Sequence, residues 1–114
     1  MKTFTNQFAQ GDCFGRRIDA IPADAHPVSA ENGTYVLAHS ETGHNHVIDE
    51  RPEVKLYQDA SDPLKAYLEV LSINVMLEHK RAHDTHEAIS IPPGNYEIRR
   101  QREYMPEGFR RAAD

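Results

Sequence analysis

Residues 87–104 constrain the fold of this chain more than any other stretch. Glu87-Ala-Ile-Ser-Ile91 alternates apolar with polar, Pro92-Pro93-Gly94 interrupts, and the segment from Asn95 to Tyr104 alternates again. A two-residue period places alternate side chains on opposite faces of a strand, and the Pro-Pro-Gly break predicts a hairpin between the two arms. Further strand candidates are CFGRRI (13–18), TYVLAH (34–39), which supplies β-branched and aromatic residues at strand length, HNHVID (44–49) with apolar Val47 and Ile48, and Val54 to Tyr57. Asn32-Gly33 marks a turn, and SETG (40–43) is the expected tip of a hairpin joining TYVLAH to HNHVID. DAIPADAHPVSAENG, with two prolines and small polar residues, reads as a surface loop. Residues 63–80 fit two patterns: Leu64, Tyr67, Leu68, Leu71 and Val75 trace a helical stripe, while 67–71 and 73–78 also alternate. Two strands are the preferred reading, with one short helix as the alternative.

Seven or eight short strands with frequent turns predict a mainly β chain, a small antiparallel barrel or half jelly roll, because such folds hide the strand edges that would otherwise pair between molecules. At 114 residues the chain is expected to form one domain, 1–114. No run approaches the roughly eighteen apolar residues of a membrane span, and the start lacks the apolar core of an export signal, so a cytoplasmic location is expected. The lone Cys13 is expected to remain a reduced thiol.

Charge is unevenly placed. Residues 1–98 hold 8 Lys and Arg against 15 Asp and Glu, whereas residues 99–114 hold five Arg against three acids. Arg100 and Arg102, in an arginine-rich strand interleaved with Tyr96 and Tyr104, are candidates for binding an anion. A pI near 5.8 argues against general affinity for nucleic acid, which rests on neutralising many phosphates.

The chemistry concentrates in seven histidines. His44 and His46, two apart on a strand, project to one face and could chelate a metal together. His83 and His86 open the strand that leads to Pro92. These four are the candidate ligands of a divalent transition metal (zinc, iron, nickel or manganese), with His39, Glu41, Glu50 and Glu87 as further pocket residues. His26 and His79 are read as ordinary solvated or backbone-bonded imidazoles. No nucleophile is evident, so the histidines name no reaction.

Two resemblances bear on this cluster. His44-x-His46-xxx-Glu50 and Pro92-x-Gly94 resemble the two cupin motifs, which implies a metal held inside a jelly-roll barrel. Here Ala38 and Tyr57 occupy the motif's flanking glycine positions, and Glu97 the position of the second motif's histidine. Over nearly the whole chain, QGDCFGRRID, YVLAHSETGHNHVI and LEHKRAHDTHEAISIPPGNYEIRRQREY resemble a family of small uncharacterised proteins of bacterial and phage-related genomes. That resemblance implies no activity. It sets the conspicuous residues in four places: His39 with Glu41, Gly43-His44-x-His46, His83-x-x-His86-Glu87, and Gln101 to Tyr104. The competing expectation is an interaction protein that binds a host protein or a small anionic molecule through its hairpin tips and arginine strand. A homodimer fits either reading.

Overall fold

The computed structural model describes residues 2–3, 6–10, 13–38, 46–79 and 88–100. Among them run eleven strands: β1 (Lys2–Thr3), β2 (Gln7–Gln10), β3 (Cys13–Ile18), β4 (His26–Val28), β5 (Thr34–Ala38), β6 (His46–Asp49), β7 (Val54–Gln58), β8 (Lys65–Val70), β9 (Val75–His79), β10 (Ile89–Ile91) and β11 (Gly94–Arg100). They form two sheets, one in the order β1-β10-β9-β6-β5 and the other β2-β3-β11-β8-β7-β4. All pairings are antiparallel except that of β1 with β10. The mainly β expectation holds, in a two-sheet form with no closed barrel among the described residues. Residues 65–79 are two strands, as the alternation indicated, and no helix occurs among the described residues.

Alternation explains how the layers meet. Leu37, Ile48, Leu77 and Ile91 from the first sheet and Leu56, Leu68, Tyr96 and Ile98 from the second belong to one apolar cluster, each almost fully buried. Removing a side chain of this size from water contributes about 1.5–3 kcal/mol, so the shared core is what holds the sheets face to face. Asn32 (φ 52°) and Gly33 (φ 80°) form the expected two-residue turn, closed by reciprocal backbone bonds between Glu31 and Thr34.

Two expectations are corrected. The loop expected between Asp19 and Gly33 contains β4, a three-residue edge strand paired with β7; Pro27 is tolerated there because an edge position needs no N–H facing outward. The hairpin expected across Pro92-Pro93-Gly94 does not form, since β10 and β11 lie in different sheets. Proline has no N–H to give to a ladder, so the pair ends β10 and lets the chain cross between layers. The Tyr96 hydroxyl donates to the Pro92 carbonyl at 2.5 Å and Arg17 Nη1 donates to the Pro93 carbonyl at 3.0 Å, which clamps the corner. The Arg17 guanidinium also sits 5.1 Å above the Tyr96 ring. Gly94, at φ 152°, has a backbone that L side chains rarely adopt, and a Cβ there would displace the Arg17 guanidinium. The chain also crosses between the sheets from β4 to β5, from β6 to β7 and, over residues 71–74, from β8 to β9.

Candidate functional site

One end of the sandwich is polar, and the strand registers show how it is assembled. In the first sheet Ala38, His46 and His79 lie side by side on β5, β6 and β9. In the second, Gln10, Cys13 and Arg100 lie side by side on β2, β3 and β11. The two rows are tied across the interior by side-chain hydrogen bonds.

Gln10 and His46, 4% and 2% exposed, form the first tie. The Gln10 amide Nε2 donates to the Leu77 carbonyl at 3.0 Å, which leaves Oε1 facing His46 Nδ1 at 2.8 Å. An amide oxygen only accepts, so Nδ1 must carry the proton and the lone pair of the neutral imidazole is on Nε2. Ligating histidines are oriented in the same way, by giving the second ring N–H to an oxygen behind them.

Arg100 makes the second tie. Its Nε donates to the Leu37 carbonyl at 2.6 Å, and its Nη1 to Gln58 Oε1 at 3.1 Å and the Pro63 carbonyl at 3.2 Å. The Leu37 carbonyl needs this donor because the β5–β6 register shifts between Val36 and Ala38; such a bulge leaves the extra residue outside the ladder. Burial lowers the Arg100 pKa, partly offset by neighbouring Cys13. Burial also pushes the Cys13 thiol up to about 12 against the opposing pull of Arg100, so Cys13 is a neutral core side chain and no nucleophile.

The four strand ends at this polar edge adjoin the segments that carry the sequence candidates. Ala38 and His46 bracket residues 39–45, His79 precedes 80–87, and Arg100 precedes 101–104. His39, Glu41, His44, His83, His86, Glu87 and Arg102 lie outside the described residues. Among the described residues no three His, Cys, Asp or Glu side chains gather as a metal-holding group.

Glu50 is placed elsewhere. It follows the far end of β6 from His46, about 13 Å along extended chain, and lines a shallow hollow of about 460 Å³ with Tyr35, Pro52 and Lys55. His26 is exposed on edge strand β4. Sequence reasoning missed Gln10, whose role needs the packing of one sheet on the other, and passed over His79, whose register against His46 the alternation of residues 75–79 alone does not reveal.

A model of an uncharacterised domain family matches residues 9–101. The chain belongs to that family, the domain of unknown function DUF8820. No curated protein and no solved structure matches it. The DUF8820 match covers β3 to β11, the last two residues of β2, and the segments 39–45 and 80–87 that adjoin the polar edge. Among the described residues no helix is long and apolar enough to cross a membrane.

Proposed function

We propose that this DUF8820 domain binds a divalent transition metal at the polar end of the sandwich, with His46 as a ligand. The observation that carries the reading is the buried Leu77–Gln10–His46 chain, which fixes the imidazole in the tautomer whose Nε2 is basic. Zinc, iron, nickel and manganese all accept such a nitrogen. His44, two residues before His46, is the natural second ligand, and His83 and His86 come from the segment that follows β9. His79 joins the candidates by its register opposite His46. A cupin-like centre would add a carboxylate; Glu41 and Glu87 are better sited along the chain than Glu50, which adjoins the other end of β6.

The test is the metal content of untagged protein by plasma mass spectrometry, for the native chain and for H44A and H46A. About one transition metal per chain, lost in both variants while the circular dichroism stays β-type, is the expected result. A metal-free native protein that also fails to take up zinc, iron, nickel or manganese on titration would overturn the reading.

A further inference from the structure

The outer face of the second sheet, remote from the polar end in its chemistry, holds a cationic pocket. Alternation sends Phe8, Cys13, Gly15, Tyr96 and Ile98 to the core, so their neighbours Gln7, Phe14, Arg16, Glu97 and Arg99 share the opposite face. The registers set them in two rows: Gln7, Arg16, Glu97 and Tyr67 in one, Ala9, Phe14, Arg99 and Lys65 in the next.

Glu97 is the centre of this face. Its side chain is 5% exposed, and its Oε1 accepts from Arg16 Nε at 2.7 Å and lies 2.6 Å from Nη2. Oε2 lies 3.2 Å from Arg99 Nη2 and 3.6 Å from Lys65 Nζ. Three cations therefore surround one carboxylate, and two of them, Arg16 and Arg99, line the adjoining pocket with it, a positive balance on a chain whose net charge is −5. Asp59 and Glu69 lie on the β7–β8 side of the same sheet, where they accept from Tyr67 and Tyr57, and Asp59 also interacts with Lys65. On the β2–β3 side a pocket of about 430 Å³ opens, lined by Gln7, Phe14, Arg16 and Arg99 among others. Phe14 is 41% exposed, and the Arg16 and Arg99 side chains are more than half exposed while held by Glu97.

We infer that this pocket binds a phosphate monoester carried on a flat ring, of the kind a nucleoside monophosphate presents. A phosphate monoester is anionic at neutral pH and suits a pocket in which two guanidiniums stand against one carboxylate. Guanidinium groups fixed by a carboxylate are preorganised forks for its oxygens. Phe14, beside Arg99 in register, offers a face for the ring to stack on. The volume is that of a small-ligand site. Glu97 orients the two arginines.

The test is calorimetric titration of the full chain with adenosine monophosphate, adenosine and inorganic phosphate, in chelator so that the metal reading cannot contribute. Adenosine monophosphate is expected to bind, adenosine and phosphate each at least about tenfold more weakly. R99Q and F14A, both at exposed positions and checked by circular dichroism, should each weaken the monophosphate about tenfold, the scale of one lost charged hydrogen bond or stacking contact. A short oligonucleotide with and without a 5′-phosphate separates the sources. Binding that requires the 5′-phosphate keeps the proposal and, if tighter than the free nucleotide, assigns the ligand to a nucleic-acid end. No binding of adenosine monophosphate at millimolar concentration, an affinity unchanged in R99Q and F14A, or equal binding of the unphosphorylated oligonucleotide would overturn it.

Discussion

Replacing Gln10 with leucine separates the two things that its amide does. Leucine fills a similar volume and keeps the apolar contacts of β2, but it removes the acceptor of His46 Nδ1–H and the donor to the Leu77 carbonyl. Because His46 is 2% exposed, water does not readily replace the lost acceptor. An orphaned buried donor costs about 1–3 kcal/mol, and at about 4–8 °C per kcal/mol for a domain near this size Q10L should melt roughly 5–20 °C below the native chain. The second consequence is functional: loss of an orienting partner behind a ligating histidine weakens metal binding about 10–100-fold. Thermal denaturation followed by circular dichroism, with and without zinc, reads both effects. An unchanged melting temperature would refute the buried tie. A lowered melting temperature with unchanged zinc affinity would refute the link between the tie and the metal.

Three further outcomes follow from other contacts. R100M should lose about 1–3 kcal/mol in urea denaturation, because it leaves the bulged Leu37 carbonyl without its donor inside the core; native-like stability would show that the carbonyl finds another partner. G94A combines a backbone at φ 152° with a collision against the Arg17 guanidinium, so it should cost about 1–3 kcal/mol by the same assay, and G33A less, since nothing lies within 4 Å of a Cβ at that turn. Cys13 and Tyr67 are both held up at about 12, each chiefly by burial, with Asp59 adding to the shift of Tyr67. Since the folded protein binds these protons more tightly than the unfolded chain, their contribution is complete at neutral pH and is lost as pH rises from the ordinary thiol and phenol values towards 12. Stability should fall across that window, less steeply in the C13A, Y67F double variant, and the native thiol should not react with a disulfide reagent at pH 8.

What the sequence made legible is local. Residues 13–16 and 54–56 alternate between core and solvent because one face of each strand is in the core, and the Asn32-Gly33 turn follows from the positive φ that those two residues tolerate. The antiparallel pairing of β5 with β6, expected from the segments on either side of 40–43, is present, whereas most other pairings stayed hidden. The same alternation on both sides of Pro92-Pro93 is satisfied by a hairpin or by a crossing between sheets, and the choice falls to the crossing because both arms find apolar partners in opposite layers. Arg99 and Arg100 show the same limit. They are adjacent in sequence, yet the strand turns one guanidinium inward onto the Leu37 carbonyl and the other outward onto Glu97. Gln10 and Glu97, the buried groups that organise the two ends of this account, look like ordinary strand residues until their cross-strand and cross-sheet neighbours are known.

The central claim is that His46 is a metal ligand through Nε2, and long-range proton–nitrogen spectra of the imidazoles of the full chain test it most directly. Before metal is added the spectra should show His46 protonated on Nδ1, and one equivalent of zinc should shift its Nε2 while Nδ1 stays protonated. An Nε2-protonated ring in the metal-free chain, or a His46 signal that zinc leaves unmoved, would contradict the account.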